Sequence, residues 1–327
     1  MMNRPSLATP PAGEDARASA PAVAWEETPC PLCGTDAGAP VLEAPDPLPP
    51  VGTGLVFAVV RCACCGLTYT NPRPSERAIG RFYPADYQPH RRPGVARRSR
   101  RSRPFWARLS GRPCAERRGV LPWPGTGRLL DFGCGAGSYL KTMADQGWDV
   151  TGVDASTDAV EQAREQFGLT ALVGSLPHAD LRPGSFDVIT MWHSLEHVHR
   201  PLELLREAFR LLVPGGKLII ATPNIASLPY RVFGRSWFGL DLPRHLTHFT
   251  PPTMTAMVQA AGFRAEPIRH LRHSDWLRTS ARRAERDGRG GLLTKVLRWK
   301  PVARLAGWVC YAASASDCIV CVAERPA

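Results

Sequence analysis

The chain has 327 residues, of which 44% are hydrophobic, enough for one α/β domain of about 200 residues and a smaller appendage. Its formal net charge is +12, from 41 Lys and Arg against 29 Asp and Glu. No apolar stretch approaches the ~20 residues of a membrane span, which excludes a transmembrane segment, and the ten cysteines without an export signal favour a reduced, cytoplasmic protein.

Two segments differ from the rest in composition. Residues 1–24 are almost entirely Ala, Pro, Ser, Gly and charged residues, so they are expected to form a disordered tail, not a signal peptide. Residues 91–120 are expected to form a basic linker or helix, because eleven Arg and one Glu lie between Arg91 and Arg118. Such a run suits phosphate-rich partners, either RNA or an anionic membrane surface, and a solvated linker is the alternative.

Residues 25–90 contain two cysteine pairs, in Cys30-Pro-Leu-Cys33-Gly and Cys62-Ala-Cys64-Cys65-Gly. At this spacing both thiolates of a pair can reach one metal ion, and the glycine that follows permits a tight turn. Four thiolates favour tetrahedral Zn²⁺. Cys30, Cys33, Cys62 and Cys65 are therefore predicted to hold a structural zinc ion, with Cys64 as a spare thiol and a redox dithiol as the alternative.

Strands alternate with glycine turns and helices from residue 121 to residue 327. Buried strands are predicted at 128–132, 149–154, 169–174, 186–192, 217–222, 265–271 and 318–323. This alternation predicts an α/β fold with a Rossmann-like, doubly wound, mostly parallel seven-stranded sheet, preceded by the small zinc module. Two inserts interrupt the pattern, a loop at 224–250 and a longer helical segment at 272–316.

The first of these strands leads into a glycine loop. Residues 133–137 have the sequence Gly-Cys-Gly-Ala-Gly, and the second strand ends at Asp154. Glycines let the backbone approach a nucleoside ligand, and an acid at the end of the second strand can accept hydrogen bonds from both ribose hydroxyls. The dinucleotide fingerprint Gly-x-Gly-x-x-Gly is not met, because Ser138 occupies its last position. Asp131 beside the loop would repel a pyrophosphate but suits the ammonium and sulfonium groups of S-adenosylmethionine.

These motifs resemble those of the class I S-adenosylmethionine-dependent methyltransferases. The matching segments are Leu-Asp-Phe-Gly-Cys-Gly-Ala-Gly-Ser at 130–138, Gly-Val-Asp at 152–154, Phe-Asp-Val-Ile at 186–189 and Leu-Val-Pro-Gly-Gly-Lys-Leu at 212–218. More narrowly, the chain resembles a bacterial subfamily with a zinc-ribbon head. The resemblance lies in the cysteine pairs, in Cys-Gly-Leu-Thr-Tyr-Thr-Asn-Pro-Arg-Pro at 65–74 and in Arg-His-Leu-Thr-His-Phe-Thr-Pro at 244–251. Many members of that subfamily act in glycan, lipid or secondary-metabolite pathways.

The resemblance implies S-adenosylmethionine as the cofactor and identifies the residues expected to bind it. The residues expected to line its methionine half are Asp131, Gly133, Gly135 and Gly137. Asp154 is expected to hold the ribose, with Ser175 and Leu176 beside the adenine. Position 175 departs from the acid often found there in the family.

Residues 193–199, after the fourth strand, place three imidazoles and a carboxylate where an acceptor should lie. A base is needed when the acceptor is a poorly ionised hydroxyl or carbon acid. Glu196-His197 resembles a segment common in small-molecule methyltransferases, where in some members it is a base or a metal ligand. His197, Glu196 and His193 are therefore expected to be catalytic; the alternative is that His197 packs against or caps the next helix.

The two inserts are expected to face the partners of the protein. Loop 224–250 is predicted to close over the substrate, with Arg244, His245 and Trp237 in contact with the acceptor, or else to dock the following helix. Segment 272–316 carries apolar stripes flanked by basic residues, as in an interfacial helix. A core-covering helix pair or a dimer surface is the alternative for this segment.

The predicted function is methyl transfer from S-adenosylmethionine to O or C of a small-molecule, glycan-linked or lipid-linked acceptor. An RNA methyltransferase that uses the basic N-terminal region is one alternative, although no motif similar to Asn-Pro-Pro-Tyr follows the fourth strand. A non-catalytic, zinc-headed scaffold is another, and the intact glycine loop and Asp154 weigh against it.

Overall fold

A computed structural model describes residues 23–48, 54–83 and 125–327. Almost all of the predicted tail at 1–24 and the whole basic segment from Arg91 to Arg118 lie outside these residues. The domain boundaries expected at 90 and 121 also lie outside them, so these expectations stay predictions.

Short antiparallel strands form the N-terminal part of the fold. They are β1 (Trp25–Glu26), β2 (Gly38–Pro45), β3 (Val56–Cys62), β4 (Thr68–Thr70) and β5 (Arg73–Pro74). β2, β3 and β4 lie side by side, and β1 pairs with β5. A 3-10 turn at Ile79–Phe82 follows.

A larger mixed sheet follows in the chain. Its strands are β6 (Arg128–Phe132), β7 (Asp149–Asp154), β8 (Thr170–Val173), β9 (Phe186–Trp192), β10 (Leu212–Pro223), β12 (Arg264–Ala265), β13 (Arg269–Leu271) and β14 (Cys318–Glu324). The remaining strand, β11 (Thr247–His248), belongs to the N-terminal sheet. The order is β12-β14-β10-β9-β6-β7-β8, with β13 also paired to β14. Strands β6 to β10 are parallel and β14 is antiparallel.

The mostly parallel, Rossmann-like sheet predicted from the sequence is thereby confirmed. One predicted strand differs, because 265–271 forms the two pieces β12 and β13, both paired with β14. Pro267 lies between the two pieces and has no N–H with which to continue a ladder.

Helices cover both faces of the sheet. They are α1 (Ser138–Ala144), α2 (Thr157–Phe167), α3 (Pro201–Leu211), α4 (Leu228–Phe233), α5 (Pro251–Ala260), α6 (Ser274–Arg286), α7 (Leu292–Leu297) and α8 (Lys300–Ala312). Alternate residues of each strand point to opposite faces, so Leu129 and Val150 pack towards α1 and α2, whereas Leu130 and Val153 pack towards α3 and α5. The carboxyl edge of the parallel strands is thereby held between two packed layers.

Loop 224–250 joins the two sheets. Its strand β11 pairs with β4, placing Thr247 opposite Tyr69, and residues 239–249 are all buried. Residues 239–249 of the predicted lid thus form a buried connection, and closure of segment 224–250 over a substrate stays a prediction. The N-terminal sheet also shares its core with this loop, since Phe57 and Phe82 pack in one cluster with Trp237.

We expect Gly152→Ala to destabilise the protein by about 1–3 kcal/mol, because overpacking a core forces neighbouring groups to move. A Cβ at Gly152 would lie 2.6 Å from both Sγ of Cys134 and Cδ1 of Leu140, which are buried themselves. Gly80→Ala is the matched control, since a Cβ there meets nothing within 4 Å. The free energy of unfolding from urea denaturation measures both, and equal stability of the two variants would contradict the packing argument.

Candidate active site

The glycine loop connects β6 to α1 at the carboxyl edge of the sheet. Gly133, Gly135 and Gly137 have φ angles of 76°, 52° and 78°, which glycine adopts without strain. Side chains would not fit at two of these positions, because a Cβ on Gly133 would lie 2.5 Å from Cβ of Ser194, and one on Gly137 would lie 2.8 Å from Cβ of Ala163. The loop therefore needs glycine for its conformation and for its packing.

Asp154, at the end of β7, fixes the position of this loop. Its Oδ2 accepts a hydrogen bond from the backbone N–H of Gly135, and its Oδ1 accepts one from that of Ser156, both at 2.8 Å. A carboxylate has about four acceptor positions, so Asp154 keeps the capacity to accept hydrogen bonds from a ligand's hydroxyl groups.

Asp131 is the second acid at this edge. It lies on β6 opposite Gly152 of β7, is 2% exposed, and its Oδ1 accepts a hydrogen bond from the hydroxyl of Thr190 at 2.6 Å. Asp131 and Asp154 therefore stand on adjacent parallel strands, next to the glycine loop, as the sequence predicted.

Ser175 and Leu176 follow β8, the strand beyond β7. Ser175 is exposed and Leu176 is buried. The N–H of Gly174 donates to the carbonyl of Asp154 at 2.9 Å, which brings this segment beside Asp154 on the side away from β6. Their expected place beside an adenine stays a prediction.

His197 lies in the 3-10 turn Leu195–His197 and is partly buried. Its Nδ1 lies 3.0 Å from the carbonyl oxygen of Arg244 and 2.9 Å from the hydroxyl of Tyr83. A carbonyl can only accept, so the tautomer with its proton on Nδ1 bonds to Arg244 and leaves a lone pair on Nε2. Burial lowers the pKa of His197, so the imidazole is neutral at neutral pH.

Glu196 precedes His197 and is 1% exposed. Neither carboxylate oxygen accepts a hydrogen bond from the described residues, and Oε1 lies 3.5 Å from Nδ1 of His193. Burial raises the pKa of Glu196 to about 7. His193 itself has a φ of 56°, which is strained for a residue other than glycine. A buried acid that titrates near neutrality beside a strained backbone is typical of a functional site.

Arg244, predicted to contact the acceptor, is fully buried instead. Its guanidinium donates to both carboxylate oxygens of Asp46, to both of Asp241, and to the carbonyls of Phe82 and Leu242. All of its N–H groups are used inside the protein, so it has none for an anionic acceptor. The expectation for Arg244 is corrected to a structural role.

Trp237 is also fully buried, and its Nε1–H donates to Oδ1 of Asp317 at 2.7 Å. The expected contact with the acceptor is therefore wrong for Trp237 as well. His245 does adjoin the predicted catalytic pair: its ring packs edge-on against His197, with 4.7 Å between centroids, and its Nδ1 lies 2.9 Å from the carbonyl of Gly239.

Several further groups near His193 and His197 are not indicated by any sequence motif. Tyr83 is 114 residues from His197 in the chain, and no motif links the two. Cys318, at the start of β14, has its Sγ 4.0 Å from Nε2 of His193. Two groups offer metal-ligand atoms that lie within 4.8 Å of one another: His193, His273 and Cys318, and Glu196, His197 and His245.

The four predicted cysteine ligands come together in the N-terminal sheet. Sγ of Cys30 lies 3.4 Å from Sγ of Cys65, and Sγ of Cys33 lies 3.5 Å from Sγ of Cys62. All four sulfur atoms lie within 4.8 Å of one another. Tetrahedral Zn–S bonds of about 2.3 Å place sulfurs about 3.8 Å apart, so the group fits a zinc ion with small adjustments.

The two cysteine turns have the same backbone geometry. Gly34 and Gly66 have φ angles of 74° and 75°, and their N–H groups donate to the carbonyls of Cys30 and Cys62. Cys64 is exposed and is not part of the group of four.

Comparison with known proteins gives consistent matches. A family model described as a methyltransferase domain matches residues 95–268, more than half of the chain. The chain is 33% identical over 171 residues to a ubiquinone biosynthesis O-methyltransferase of Xanthomonas euvesicatoria pv. vesicatoria, covering 49% of this chain and 71% of that protein. The protein of the same name from Xanthomonas axonopodis pv. citri is 32% identical over 175 residues, covering 50% and 73%.

Among solved structures, an S-adenosylmethionine-dependent methyltransferase of Mesorhizobium loti matches with a TM-score of 0.45 and 22% sequence identity. The match covers 63% of this chain and 94% of that one.

We expect Glu196→Gln to stabilise the protein at alkaline pH. Burial raises the folded-state pKa to about 7, above the ordinary value of 4.5, so the stability given by the protonated form is lost as the pH rises through 7. Glutamine keeps the shape without the charge. The variant's gain in free energy of unfolding should be small at pH 5 and on the order of 3 kcal/mol at pH 8. Urea denaturation at both pH values measures it.

Glu203→Gln is the matched control, because the side chain of Glu203 is 64% exposed. Its effect should be the same at the two pH values. A gain for Glu196→Gln that does not change between pH 5 and pH 8 would show that this carboxyl is not held at a raised pKa.

Proposed function

Because the chain belongs to the class I S-adenosylmethionine-dependent methyltransferases, we propose that it methylates a hydroxyl oxygen of a small molecule, with His197 as the base. One observation carries this proposal: a neutral histidine lies in the turn that contacts the glycine loop. Ser194, three residues before His197, donates its hydroxyl hydrogen bond to the carbonyl of Phe132 at 2.8 Å and fills the space above Gly133. The loop and the histidine turn therefore share one contact.

The cofactor-binding roles follow from the charges at this edge. When bound, S-adenosylmethionine supplies an electrophilic methyl group on a positively charged sulfur. We assign Asp154 to the ribose hydroxyls, residues 133–137 to close backbone contact with the methionine half, and Asp131 to the charge of that half. Ser175 and Leu176 are assigned to the adenine.

His197 handles the proton in this mechanism. With the cofactor supplying the methyl group, Nε2 of His197 would accept the proton that the acceptor hydroxyl loses on methylation. The carbonyl oxygen of Arg244 accepts a hydrogen bond from Nδ1–H of His197. This bond favours the tautomer in which Nε2 has no proton and can act as a base. The adjacent carboxyl group of Glu196, when ionised, stabilises the imidazolium that results, since its charge raises the pKa of His197.

Oxygen is the acceptor atom favoured by the relatives. Both Xanthomonas proteins are named O-methyltransferases. A hydroxyl group is poorly ionised at neutral pH, so its methylation is the reaction that gains most from a neutral imidazole at the acceptor position. Lipid-linked and glycan-linked alcohols belong to this chemical class.

We also propose that Cys30, Cys33, Cys62 and Cys65 hold a structural zinc ion. The ion would cross-link the two cysteine turns of the N-terminal sheet, which has too few residues for a core of its own. This sheet supports the acceptor side of the cleft, because the hydroxyl of Thr70 on β4 donates to the carbonyl of His245 at 2.8 Å.

The proposed function is tested with labelled S-adenosylmethionine and a cell extract separated into RNA, lipid and small-molecule pools. We expect label in the small-molecule or lipid pool. His197→Ala should lower turnover at least 100-fold with unchanged cofactor affinity by calorimetry, the loss typical of a general base. His199→Ala is the control, since His199 lies in the same segment but contacts the carbonyl of Pro74.

Three outcomes would contradict the proposal. Label in RNA alone would make the protein an RNA methyltransferase, and label in no pool would favour a non-catalytic scaffold. Turnover that EDTA abolishes and added Mg²⁺ restores would make His197 a metal ligand instead of a base.

For the zinc site, we expect one zinc per chain in the native protein and in Cys64→Ser, but none in Cys62→Ser, by elemental analysis. Losing a structural zinc removes folding energy, so Cys62→Ser should unfold at a lower temperature than the other two proteins. Cys64 is the matched control because it is exposed in the same turn. A full equivalent of zinc in Cys62→Ser would refute the assignment.

A further inference from the structure

Large apolar side chains on the surface of the described chain concentrate on helices α7 and α8. Of twelve such exposed residues, seven lie between residues 292 and 309. We call these seven the apolar face: Leu292, Leu293, Val296, Trp299, Leu305, Trp308 and Val309. Scattered single residues are normal on a protein surface, but a concentration of this kind on two consecutive helices indicates an interaction site.

The side of each helix opposite the apolar face packs into the core, which explains why this segment is folded. Leu297 on α7 and Ala303 on α8 are buried in the cluster that contains Leu277 and Ala281 of α6. On α8 the buried residues 303, 307 and 310 follow helical spacing, and residues 304, 305, 308 and 309 are exposed on the other side. The core is therefore complete without the apolar face.

The segment that carries the apolar face has charged residues of one sign, and one of them, Arg298, is paired with Glu285 of α6 at 2.7 Å. Residues 288–316 contain five Lys and Arg and no Asp or Glu. Lys295, Lys300 and Arg304 are exposed among the apolar side chains. Exposed Trp and Leu together with Lys and Arg are the composition of helices that lie in the interface of an anionic bilayer. A second copy of this chain would bring like charges together, which disfavours it as the occupant.

We propose that the apolar face docks the protein on the surface of an anionic lipid bilayer, with α7 and α8 lying in the interface plane. α8 has 13 residues and rises about 20 Å, too short to cross a hydrocarbon core. Within the described residues, no helix is long and apolar enough to span a membrane. Insertion of side chains at the headgroup level is the binding mode that this length permits.

The docking surface adjoins the candidate active site. The guanidinium of Arg272 lies 3.6 Å above the ring of Trp308, and the next residue, His273, stacks on Trp276 with 4.7 Å between centroids. Trp276 in turn packs against His193, with 5.3 Å between centroids. Docking therefore brings the acceptor side of the candidate site close to the lipid surface. This position favours a membrane-resident alcohol as the acceptor, an inference that rests on the proposed function.

The test is sedimentation of the full chain with vesicles. The native protein should bind vesicles of phosphatidylglycerol and phosphatidylcholine in equal parts, and bind phosphatidylcholine alone much more weakly. The double variant Leu305→Gln/Val309→Gln should lower the partition coefficient at least about tenfold. Lys295→Gln and Arg304→Gln should each lower it about fivefold on anionic vesicles.

Val56→Gln/Val232→Gln is the matched control, since these valines are 56% and 52% exposed but belong to β3 and α4 instead of α7 and α8. It should bind as the native chain does. Unchanged cofactor affinity confirms that each variant is folded.

Two outcomes would overturn the docking proposal. Binding of Leu305→Gln/Val309→Gln as tight as that of the native chain would assign vesicle binding to another part of the protein, such as the basic segment 91–120. A native dimer that this variant converts to a monomer, measured by light scattering, would assign the apolar face to a second copy. Vesicle binding without methyl transfer would refute only the proposed function, so the two failures are distinguishable.

Discussion

The charge of Arg244 lies in the protein interior, where two carboxylates neutralise it: Asp241 in the same turn and Asp46, which is 198 residues away in the chain. Burial opposes that charge, but the carboxylates of Asp241 and Asp46 hold the pKa of Arg244 above its usual value. Burial also acts against the ionised form of Asp241, yet Arg244 lowers the pKa of Asp241 to about 2. Loss of one partner from a buried ion pair typically costs about 3–5 kcal/mol, so the N-terminal sheet cannot separate from loop 224–250 without a large penalty.

This ion cluster also determines the geometry of the candidate base. The carbonyl of Arg244 faces Nδ1 of His197, and the side chain of the same arginine is fixed by Asp46, the residue after β2. Tyr83, next to the Phe82 carbonyl that Arg244 also binds, supplies the other contact to Nδ1. The N-terminal region thus positions a histidine that belongs to the methyltransferase domain, which gives a physical reason for the two to occur in one chain.

Sequence patterns predicted the parts of this protein that depend on near neighbours. The alternating strands, the glycine loop with Asp131 and Asp154, and the paired cysteines are all specified within a few residues, and the structure brings each set together as expected. The role of Arg244 could not be predicted in this way, because its partner Asp46 is 198 residues away. An arginine beside a histidine in an aromatic loop has the composition of a substrate site, and only the tertiary contact reveals a buried ion pair.

The candidate site combines two electrostatic environments. On the proposed cofactor side, Asp131 and Asp154 offer carboxylates that suit a cationic ligand. On the acceptor side, burial lowers the pKa values of His197 and His245 and raises that of Glu196, so neutral forms are favoured there. The charge of Arg244 is already matched by two carboxylates, which removes the cation that an anionic acceptor was expected to meet. The proposed acceptor, an uncharged alcohol, suits these surroundings because it would need no counter-charge in the site and would offer a proton to His197.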